Sequence, residues 1–372
     1  MNKMVFSNLA HRPLRTAISV VAIAIEVTLI LLIVGLSIGI LNDSAERQRG
    51  IGADVMVSAP GAQMLVGTSG ITIPMKLGDV LRKQPHVAAV SPVAMQMNTT
   101  GNVEIIYGID LDPNSPNNFN KLNSPFKFIA GGPFTGPDDI IVDDYFARQK
   151  NVKVGDTQRL LNHDFKVSGI VLNGKGARKF LPLATMQDLT GSVNKASMFY
   201  VLADDPKNAA QIASEIKAIP GMEAYGVRTV AEYLSMMTVQ SIPALSTFIN
   251  VVIGVSVIIG FLVIFQSMYT AVMERTREIG ILKSLGANKL YIINVILRET
   301  IVLAIFGIIV GIVFSALARI GIRHKFPLMT IITPAEWMIR AAGIAIIGAI
   351  FGALYPAMKA AQKDPIDALA YE

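Results

Sequence analysis

Four stretches of this chain are apolar over enough consecutive residues to cross a lipid bilayer as helices. The hydrocarbon core of a bilayer is about 30 Å thick, so a helix rising about 1.5 Å per residue needs roughly 20 apolar residues to span it. The stretches that meet this length are residues 17–41, 241–272, 291–320 and 336–357. The sequence therefore predicts an integral membrane protein with four transmembrane helices.

The overall composition supports this prediction. Hydrophobic residues make up 52% and charged residues 16% of the 372 residues, and the mean hydropathy is +0.49. A water-soluble chain of this length needs more polar surface, so part of the apolar surface must face lipid. The net charge is +6, but the basic residues are scattered beside the apolar stretches, so we do not expect nucleic acid as a partner. Cysteine is absent, which excludes disulfides, thiolate metal sites and thiol nucleophiles.

The first apolar stretch has two interpretations, a signal peptide or a transmembrane helix. Basic residues precede it, as in a signal peptide: Lys3, His11, Arg12 and Arg15. The stretch is longer than a usual signal-peptide core, and residues 42–46 make a poor cleavage site, so the transmembrane helix is favoured. The positive-inside rule then predicts cytoplasmic N and C termini and an exported middle segment. Basic residues around the short outer loop at 321–335, among them Arg319, Arg323, Lys325 and Arg340, run against this rule.

The middle segment, residues 42–240, has the pattern of a mixed α and β domain. Short β-prone runs at 52–57, 103–108 and 198–202 alternate with helical periodicity at 75–83 and 206–219. A β-rich insertion is predicted at about 126–189, with strands at 139–143, 158–161 and 165–171. The fold class is therefore membrane α-helical with an α+β extracytoplasmic domain. An amphipathic inner-leaflet helix at 1–16, a cytoplasmic loop at 273–290 and a cytoplasmic tail at 358–372 complete the prediction.

The sequence carries no motif typical of catalysis. The P-loop spacing G-x-x-x-x-G-K-S/T is missing, and Asn173-Gly174-Lys175-Gly176 lacks its first glycine and its hydroxyl, so we expect a flexible turn there. The histidines are far apart and form no metal-ligand pair. The acidic pairs at 138–139 and 143–144 have two interpretations, a divalent-cation site or solvated strand ends, and the second is favoured. We therefore expect a non-catalytic chain without a bound metal or cofactor of its own.

Two features inside the apolar stretches carry information beyond hydrophobicity. Glu26 lies near the midpoint of the first stretch, where a carboxylate is costly unless it is paired, protonated or hydrated. It has either a functional role in contact with cargo or in coupling, or a structural one. Glycine pairs four residues apart predict close helix packing, within or between subunits. These pairs are Gly35 and Gly39, Gly307 and Gly311, and Gly348 and Gly352.

The predicted cytoplasmic loop contains the most specific pattern in the chain. A charged helix start is followed by apolar residues at Ile279, Leu282 and Leu285, and Gly286 is expected to end the helix. A short amphipathic helix of this kind can dock into a groove of a cytoplasmic partner. The residues that we expect to couple to such a partner are Glu274, Arg275, Arg277, Glu278, Ile279, Leu282, Lys283 and Leu285.

The run from Glu274 to Ala287 resembles the signature of the MacB/FtsX-like permeases, the type VII class of ABC transporter membrane subunits. Similar matches occur at the N-terminal start (residues 8–16), in the insertion (154–169) and in the C-terminal tail (355–369). The resemblance covers the whole chain and is strongest at the inner loop and the ends. It implies a permease that couples to a separate cytoplasmic ABC ATPase, with ATP and Mg bound by that partner. A second permease copy in a homodimer is also implied, and a periplasmic adaptor is a further partner that the resemblance allows.

The resemblance leaves three functions open. The leading hypothesis is export of an amphiphilic or hydrophobic substrate across the bacterial inner membrane, driven by mechanotransmission from the ATPase through long first and second helices. The two-part outer domain favours this over a non-transporting mechanotransducer that activates an extracytoplasmic hydrolase or sensor. The third hypothesis is a lipoprotein-releasing permease.

Overall fold

The computed structural model describes residues 13–61, 72–98, 104–326 and 329–363. Most of the amphipathic segment predicted at 1–16 and the last nine residues of the tail lie outside these ranges. The chain divides into two compact units, a membrane unit (residues 1–40 and 239–372) and an outer unit (Leu41–Thr238). Each unit has its own packing.

The elements are named in chain order. The helices are α1 (Pro13–Arg49), α2 (Lys76–Arg82), α3 (Asp144–Lys150), α4 (Leu183–Leu189), α5 (Ala209–Lys217), α6 (Val230–Ser235), α7 (Pro243–Glu274), α8 (Thr276–Ser284), α9 (Lys289–Lys325) and α10 (Ala335–Gln362). The strands are β1 (Val55–Ser58), β2 (Ile73–Pro74), β3 (Val87–Asn98), β4 (Glu104–Ile109), β5 (Phe128–Gly131), β6 (Asp139–Asp143), β7 (Thr157–Leu160), β8 (His163–Val171), β9 (Lys179–Pro182), β10 (Lys195–Ala196), β11 (Met198–Ala203) and β12 (Gly226–Thr229).

Four of these helices are long and apolar enough to cross a membrane: α1, α7, α9 and α10. They contain 37, 32, 37 and 28 residues, so each is longer than the roughly 20 residues that a bilayer requires. Large apolar side chains remain exposed along them, for example Val255 and Ile259 on α7 and Ile309 and Val313 on α9. Lipid is the environment in which such exposure is stable, so these helices belong to a multi-pass membrane protein.

The glycine pairs on α9 and α10 lie against neighbouring helices. A β-carbon at Gly307 would overlap Ile23 of α1, and one at Gly311 would crowd Val27 on the same helix. On α10, a β-carbon at Gly352 would lie 3.0 Å from the Phe261 carbonyl oxygen of α7. These glycines therefore let helix backbones approach closely.

The first glycine pair has a different neighbour from the expected helix. A β-carbon at Gly39 would overlap the Thr330 carbonyl, and the Ile332 N–H donates to the Gly35 carbonyl at 3.0 Å. Both neighbours belong to the non-helical segment between α9 and α10. Gly35 and Gly39 thus let a non-helical segment pack closely against α1. The spacing of the two glycines alone could not show whether the neighbour would be a helix or a non-helical segment.

The outer unit is built on a ten-stranded sheet. Its strand order is β12-β1-β11-β3-β4-β9-β6-β8-β5, with β7 paired to β8. The first five strands come from the sequence on either side of the insertion at 126–189 and form what we call the core module. The remaining strands all come from the insertion. Strand β9 lies at the seam, because it pairs parallel to β4 of the module and antiparallel to β6 of the insertion.

The structure confirms the predicted fold class, with four apolar helices and an α+β extracytoplasmic domain. The strand predicted at 139–143 is β6, and the run at 198–202 lies in β11. The helical periodicity at 75–83 corresponds to α2. The membrane helices extend past several predicted ends: α9 continues to Lys325 inside the predicted outer loop, and α10 continues to Gln362 inside the predicted tail.

One core of the outer unit is centred on aromatic side chains. The ring of Phe180 packs edge to face against the rings of Phe126 and Tyr107, with distances between ring centroids of 4.9 Å and 6.4 Å. Phe180 belongs to the seam strand β9 and is fully buried. This core therefore holds the module and the insertion together.

We expect Phe180→Ala to destabilise the outer unit by about 3–5 kcal/mol, because it leaves a cavity in a close-packed core. The matched control is Ile129→Ala on β5, whose side chain is 58% exposed, and its effect should stay within about 0.5 kcal/mol. The measurement is the temperature at which a protease begins to cleave residues 41–238 of the purified full chain in detergent. Equal shifts for the two variants would contradict this assignment of the core.

Candidate functional site

The signature run lies on a short helix, α8, between the membrane helices α7 and α9. Glu278 is in its first turn and Lys283 in its last, as the helix dipole favours. The helix ends in a Schellman motif, in which the Ala287 N–H donates to the Leu282 carbonyl at 3.0 Å and the Gly286 N–H to the Lys283 carbonyl at 3.0 Å. Gly286 has φ +96°, as the predicted helix end requires.

The two faces of α8 have different surroundings. Ile279 and Leu282 line a mainly apolar cavity with Val295 and Ile296 of α9. The exposed Glu278 also lines this cavity. This cavity lies entirely inside the membrane unit. The inward face therefore packs α8 against the helices before and after it.

A second face of α8 is exposed. Leu285 is 80% exposed and Ile281 is 46% exposed, and the charged side chains of Arg277 and Glu278 are exposed beside them. We call these four residues the docking face. An apolar pair of this size with flanking charges, on a short helix, has the composition of a protein contact.

Lys283 connects α8 to the end of the last membrane helix. Its ammonium group donates to the Ala361 carbonyl at 3.1 Å and to the Lys363 carbonyl. The last carbonyls of a helix have no partner within it, and they carry partial negative charge. Lys283 therefore caps α10 and holds α8 against it.

A buried charge cluster lies at the start of α8. Glu299 of α9 is only 3% exposed, and its carboxylate accepts from Arg275 at 3.0 Å and from Arg15 of α1 at 3.5 Å. Arg15 also lies 3.5 Å from Glu274. A buried carboxylate is stable when cations and hydrogen bonds surround it, as they surround Glu299. Through these contacts the cluster joins α1, α9 and the end of α7.

The structure brings together most of the residues predicted to couple to a partner, but in three different environments. Arg275 lies in the buried charge cluster and the exposed Glu274 lies at its edge, while Ile279, Leu282 and Lys283 hold α8 to the neighbouring membrane helices. Arg277, Glu278 and Leu285 remain on the docking face. Their coupling role stays a prediction.

Two members of the charge cluster were missed as site residues by the sequence analysis. Glu299 lies within the third apolar stretch, and Arg15 was considered only as one of the basic residues before the first stretch. An ionisable residue inside a predicted transmembrane helix is itself a functional indication, so Glu299 could have been found on that ground. Its partners could not, because they lie 24 and 284 positions away in the sequence.

Glu26 is separate from this cluster. It is buried on α1 and faces Gly260 of α7, where a β-carbon would overlap the Glu26 carboxylate. Among the described residues, no hydrogen-bond donor reaches Glu26 Oε1. Gly260 thus provides the space that the Glu26 side chain occupies.

The acidic pairs of the outer unit bind neighbouring groups of the protein. Asp139 accepts from the Thr135 and Gly136 N–H groups, and Asp143 caps α3 by accepting from the Phe146 N–H at 2.7 Å. Among the described residues, no group of three acidic or histidine side chains could hold a metal ion. Asp139 and Asp143 are buried and not solvated as expected, and their hydrogen bonds hold the two ends of β6 to neighbouring backbone.

Comparison with known families settles the classification. Residues 16–219 match the family described as MacB-like periplasmic core domain, and residues 250–365 match the FtsX-like permease C-terminal family. The chain belongs to the MacB/FtsX-like ABC transporter permeases. In this permease, the site described above lies within the FtsX-like region, apart from Arg15.

Several curated relatives resemble this permease. An uncharacterized ABC transporter permease, YknZ of Bacillus subtilis, is 31% identical over 56% of this chain and 52% of its own length. The macrolide export ATP-binding/permease protein MacB of Wolinella succinogenes is 26% identical over 100% of this chain and 60% of its own. The protein of the same name from Escherichia coli K12 is 23% identical over 99% of this chain and 60% of its own length. The permease thus spans between half and three fifths of the length of these relatives.

Among solved structures, the periplasmic region of MacB from Actinobacillus actinomycetemcomitans is similar to part of this permease. The similarity covers 51% of this chain and 94% of that one, with 16% identity and a TM-score of 0.37.

We expect Glu299→Leu to destabilise the membrane unit by about 3 kcal/mol, because it leaves the positive charges of Arg15 and Arg275 without their shared carboxylate. The double variant Glu299→Leu with Arg275→Met should recover part of this loss, since it removes both members of the closest pair. The exposed Glu336→Leu on α10 is the control. The measurement is the thermal unfolding midpoint of the purified full chain in detergent, and an additive double variant would contradict direct pairing.

Proposed function

We propose that this chain is the permease subunit of an ABC transporter and that α8 receives motion from a cytoplasmic ABC ATPase. The observation that carries the proposal is the docking face, an exposed apolar pair with charges on a helix whose other face is fixed to the membrane unit. Ile281 and Leu285 supply the apolar contact, and Arg277 and Glu278 supply charges at its edge. A partner with a complementary groove would bury these side chains.

The attachments of α8 explain how a push on the docking face would reach the membrane helices. Lys283 joins α8 to the end of α10, and Arg275 joins its start to Glu299 of α9. Arg15 extends the same cluster to α1. A displacement of α8 would therefore act on three membrane helices and not on one flexible loop.

The proposal assigns ATP and Mg to the partner, since these 372 residues contain no P-loop spacing. Two relatives are named ATP-binding/permease proteins, a name that covers both ATP binding and permease function. In the present proposal, a partner ATPase would supply the ATP binding. We place the permease in the bacterial inner membrane with α8 and both termini on the cytoplasmic side and with a second copy in a homodimer.

The proposed substrate is an amphiphilic or hydrophobic compound that is expelled on the outer side. The family membership supports this class of substrate, and so do two relatives that are named macrolide export proteins. Mechanotransmission through α1 and α7 is the proposed mechanism. Their length supports it, because helices of 37 and 32 residues exceed the hydrocarbon thickness of a bilayer.

The test uses two substitutions on the docking face, Leu285→Asp and Glu278→Arg. The first puts a charge into the apolar contact, and the second reverses a charge at its edge. We expect Leu285→Asp to lower co-purification of the ATPase at least tenfold, since burying an unpaired carboxylate costs more than about 1.4 kcal/mol. Glu278→Arg should leave the complex assembled and abolish permease-stimulated ATP hydrolysis.

The matched control is Leu189→Asp, a partly exposed leucine of the outer unit. It should leave both the amount of bound ATPase and its stimulated rate unchanged. If Leu285→Asp retained the ATPase in wild-type amounts, α8 would not be the docking element. If the chain bound no protein with a nucleotide-binding motif, the proposed coupling to a separate ABC ATPase would be wrong.

A further inference from the structure

The turn that resembles an incomplete P-loop lies against the outer end of α1. Residues 174–178 connect β8 to β9 and contain two glycines in the left-handed region, Gly174 with φ +98° and Gly176 with φ +82°. The turn was expected to be flexible. The structure instead bonds it to the last turn of α1, within the outer unit.

Backbone groups make the first connection. The Gly176 N–H donates to the Arg47 carbonyl at 2.9 Å, and Arg47 Nε donates back to the Gly176 carbonyl at 3.3 Å. The last carbonyls of a helix lack intrahelical partners, so the Gly176 N–H satisfies one of them. A β-carbon at Gly176 would overlap Tyr107, which leaves no space for a side chain.

Lys175 makes the second connection. Its ammonium group donates to the Gly50 carbonyl at 2.9 Å and to the Ser124 carbonyl at 2.5 Å. Gly50 follows the last residue of α1, where a cation is favoured by the helix dipole. Burial and the charge of Lys127 lower the pKa of Lys175 to about 8, which leaves the amine protonated at neutral pH.

Arg178 makes the third connection and leads into the sheet. It pairs with Asp43 of α1 at 3.1 Å and with Asp143 at the end of β6 at 3.2 Å. The next residue, Lys179, begins β9, the strand at the seam between the core module and the insertion. The turn therefore connects the end of α1 to the seam.

Gln48 of α1 makes a separate connection to the core module. Its amide donates to the Tyr107 hydroxyl of β4 at 3.0 Å and accepts from the Tyr200 hydroxyl of β11 at 2.7 Å. Burial raises the pKa of both tyrosines, so both remain neutral and able to hold these bonds. The end of α1 is thus bonded to the module through Gln48 and to the seam through residues 174–178.

We propose that residues 174–178 and Gln48 form a clasp on the end of α1, through which displacement of α1 changes the angle between the core module and the insertion. This inference rests on the proposed function, in which an ATPase moves the membrane helices. Beyond that function, it names the residues of the outer unit that receive the movement. It also names the two parts of the sheet that respond, the core module and the insertion. Gln48 and Lys175 are positioning residues in this scheme.

The experiment measures the distance between the module and the insertion in the full permease with its ATPase. The chain has no cysteine, so spin labels attach only to cysteines introduced at Gln211 on α5 of the module and Lys150 on α3 of the insertion, both exposed. The distance distribution is recorded without nucleotide and with ATP, Mg and vanadate. We expect a shift between these two conditions in the otherwise wild-type permease.

Two clasp variants are compared, Lys175→Met and Gln48→Leu, with Lys153→Met on an exposed lysine of the insertion as the control. Each clasp variant should retain the distance distribution of the nucleotide-free state and lose the shift. Lys153→Met should retain the shift. A purely structural role would alter the nucleotide-free distribution or the unfolding temperature instead.

Two results would overturn the clasp. One is a full shift in both clasp variants, and the other is no shift in the wild type while the ATPase is bound and hydrolysing. Co-purification and ATP turnover are recorded in the same preparations. They report on the docking of α8, so failure of the proposed function is distinguishable from failure of the clasp.

Discussion

Helix α1 has to satisfy polar groups at both of its ends while its middle is apolar. At its start, Arg15 lies in a charge cluster of the membrane unit, and at its end Asp43, Arg47 and Gln48 are bonded within the outer unit. A polar side chain that is buried without a partner costs roughly 1–3 kcal/mol, and a charge costs more. These ends therefore fix α1 in register with the groups around them. A displacement of α1 must therefore carry these groups with it or break its bonds to them.

Much of the fold followed from the sequence because hydropathy and length constrain membrane helices strongly. A run of about 20 apolar residues has few alternatives to a transmembrane helix. The short strands of the outer unit were also predictable, since runs such as residues 139–143 combine β-branched side chains with turn residues at their ends. The order of the strands was not predictable. Strand β9 pairs with β4, about 75 residues earlier, and no local pattern specifies such a partner.

The candidate site was predictable in its position but not in its geometry. The apolar residues Ile279, Leu282 and Leu285 follow one another at intervals of three, and three residues advance a helix by about 300°. Each step therefore falls about 60° short of a full turn, and Leu285 lies about 120° around α8 from Ile279. This explains why Ile279 and Leu282 pack inward while Leu285 is exposed. The sequence pattern suggested one apolar face where the helix has two.

The turn at residues 174–178 shows how a motif comparison can be correct and still miss the role of a segment. The missing glycine and hydroxyl exclude a phosphate cradle, yet the same glycines have left-handed backbone angles that side chains rarely adopt. In a phosphate cradle, such glycines let backbone N–H groups approach an anion. Here, Gly176 instead donates its N–H to the Arg47 carbonyl, and Lys175 reaches the Gly50 carbonyl. The partial negative charge at the end of α1 thus takes the place of an anion, and a turn of this composition binds the end of a helix for the same electrostatic reason.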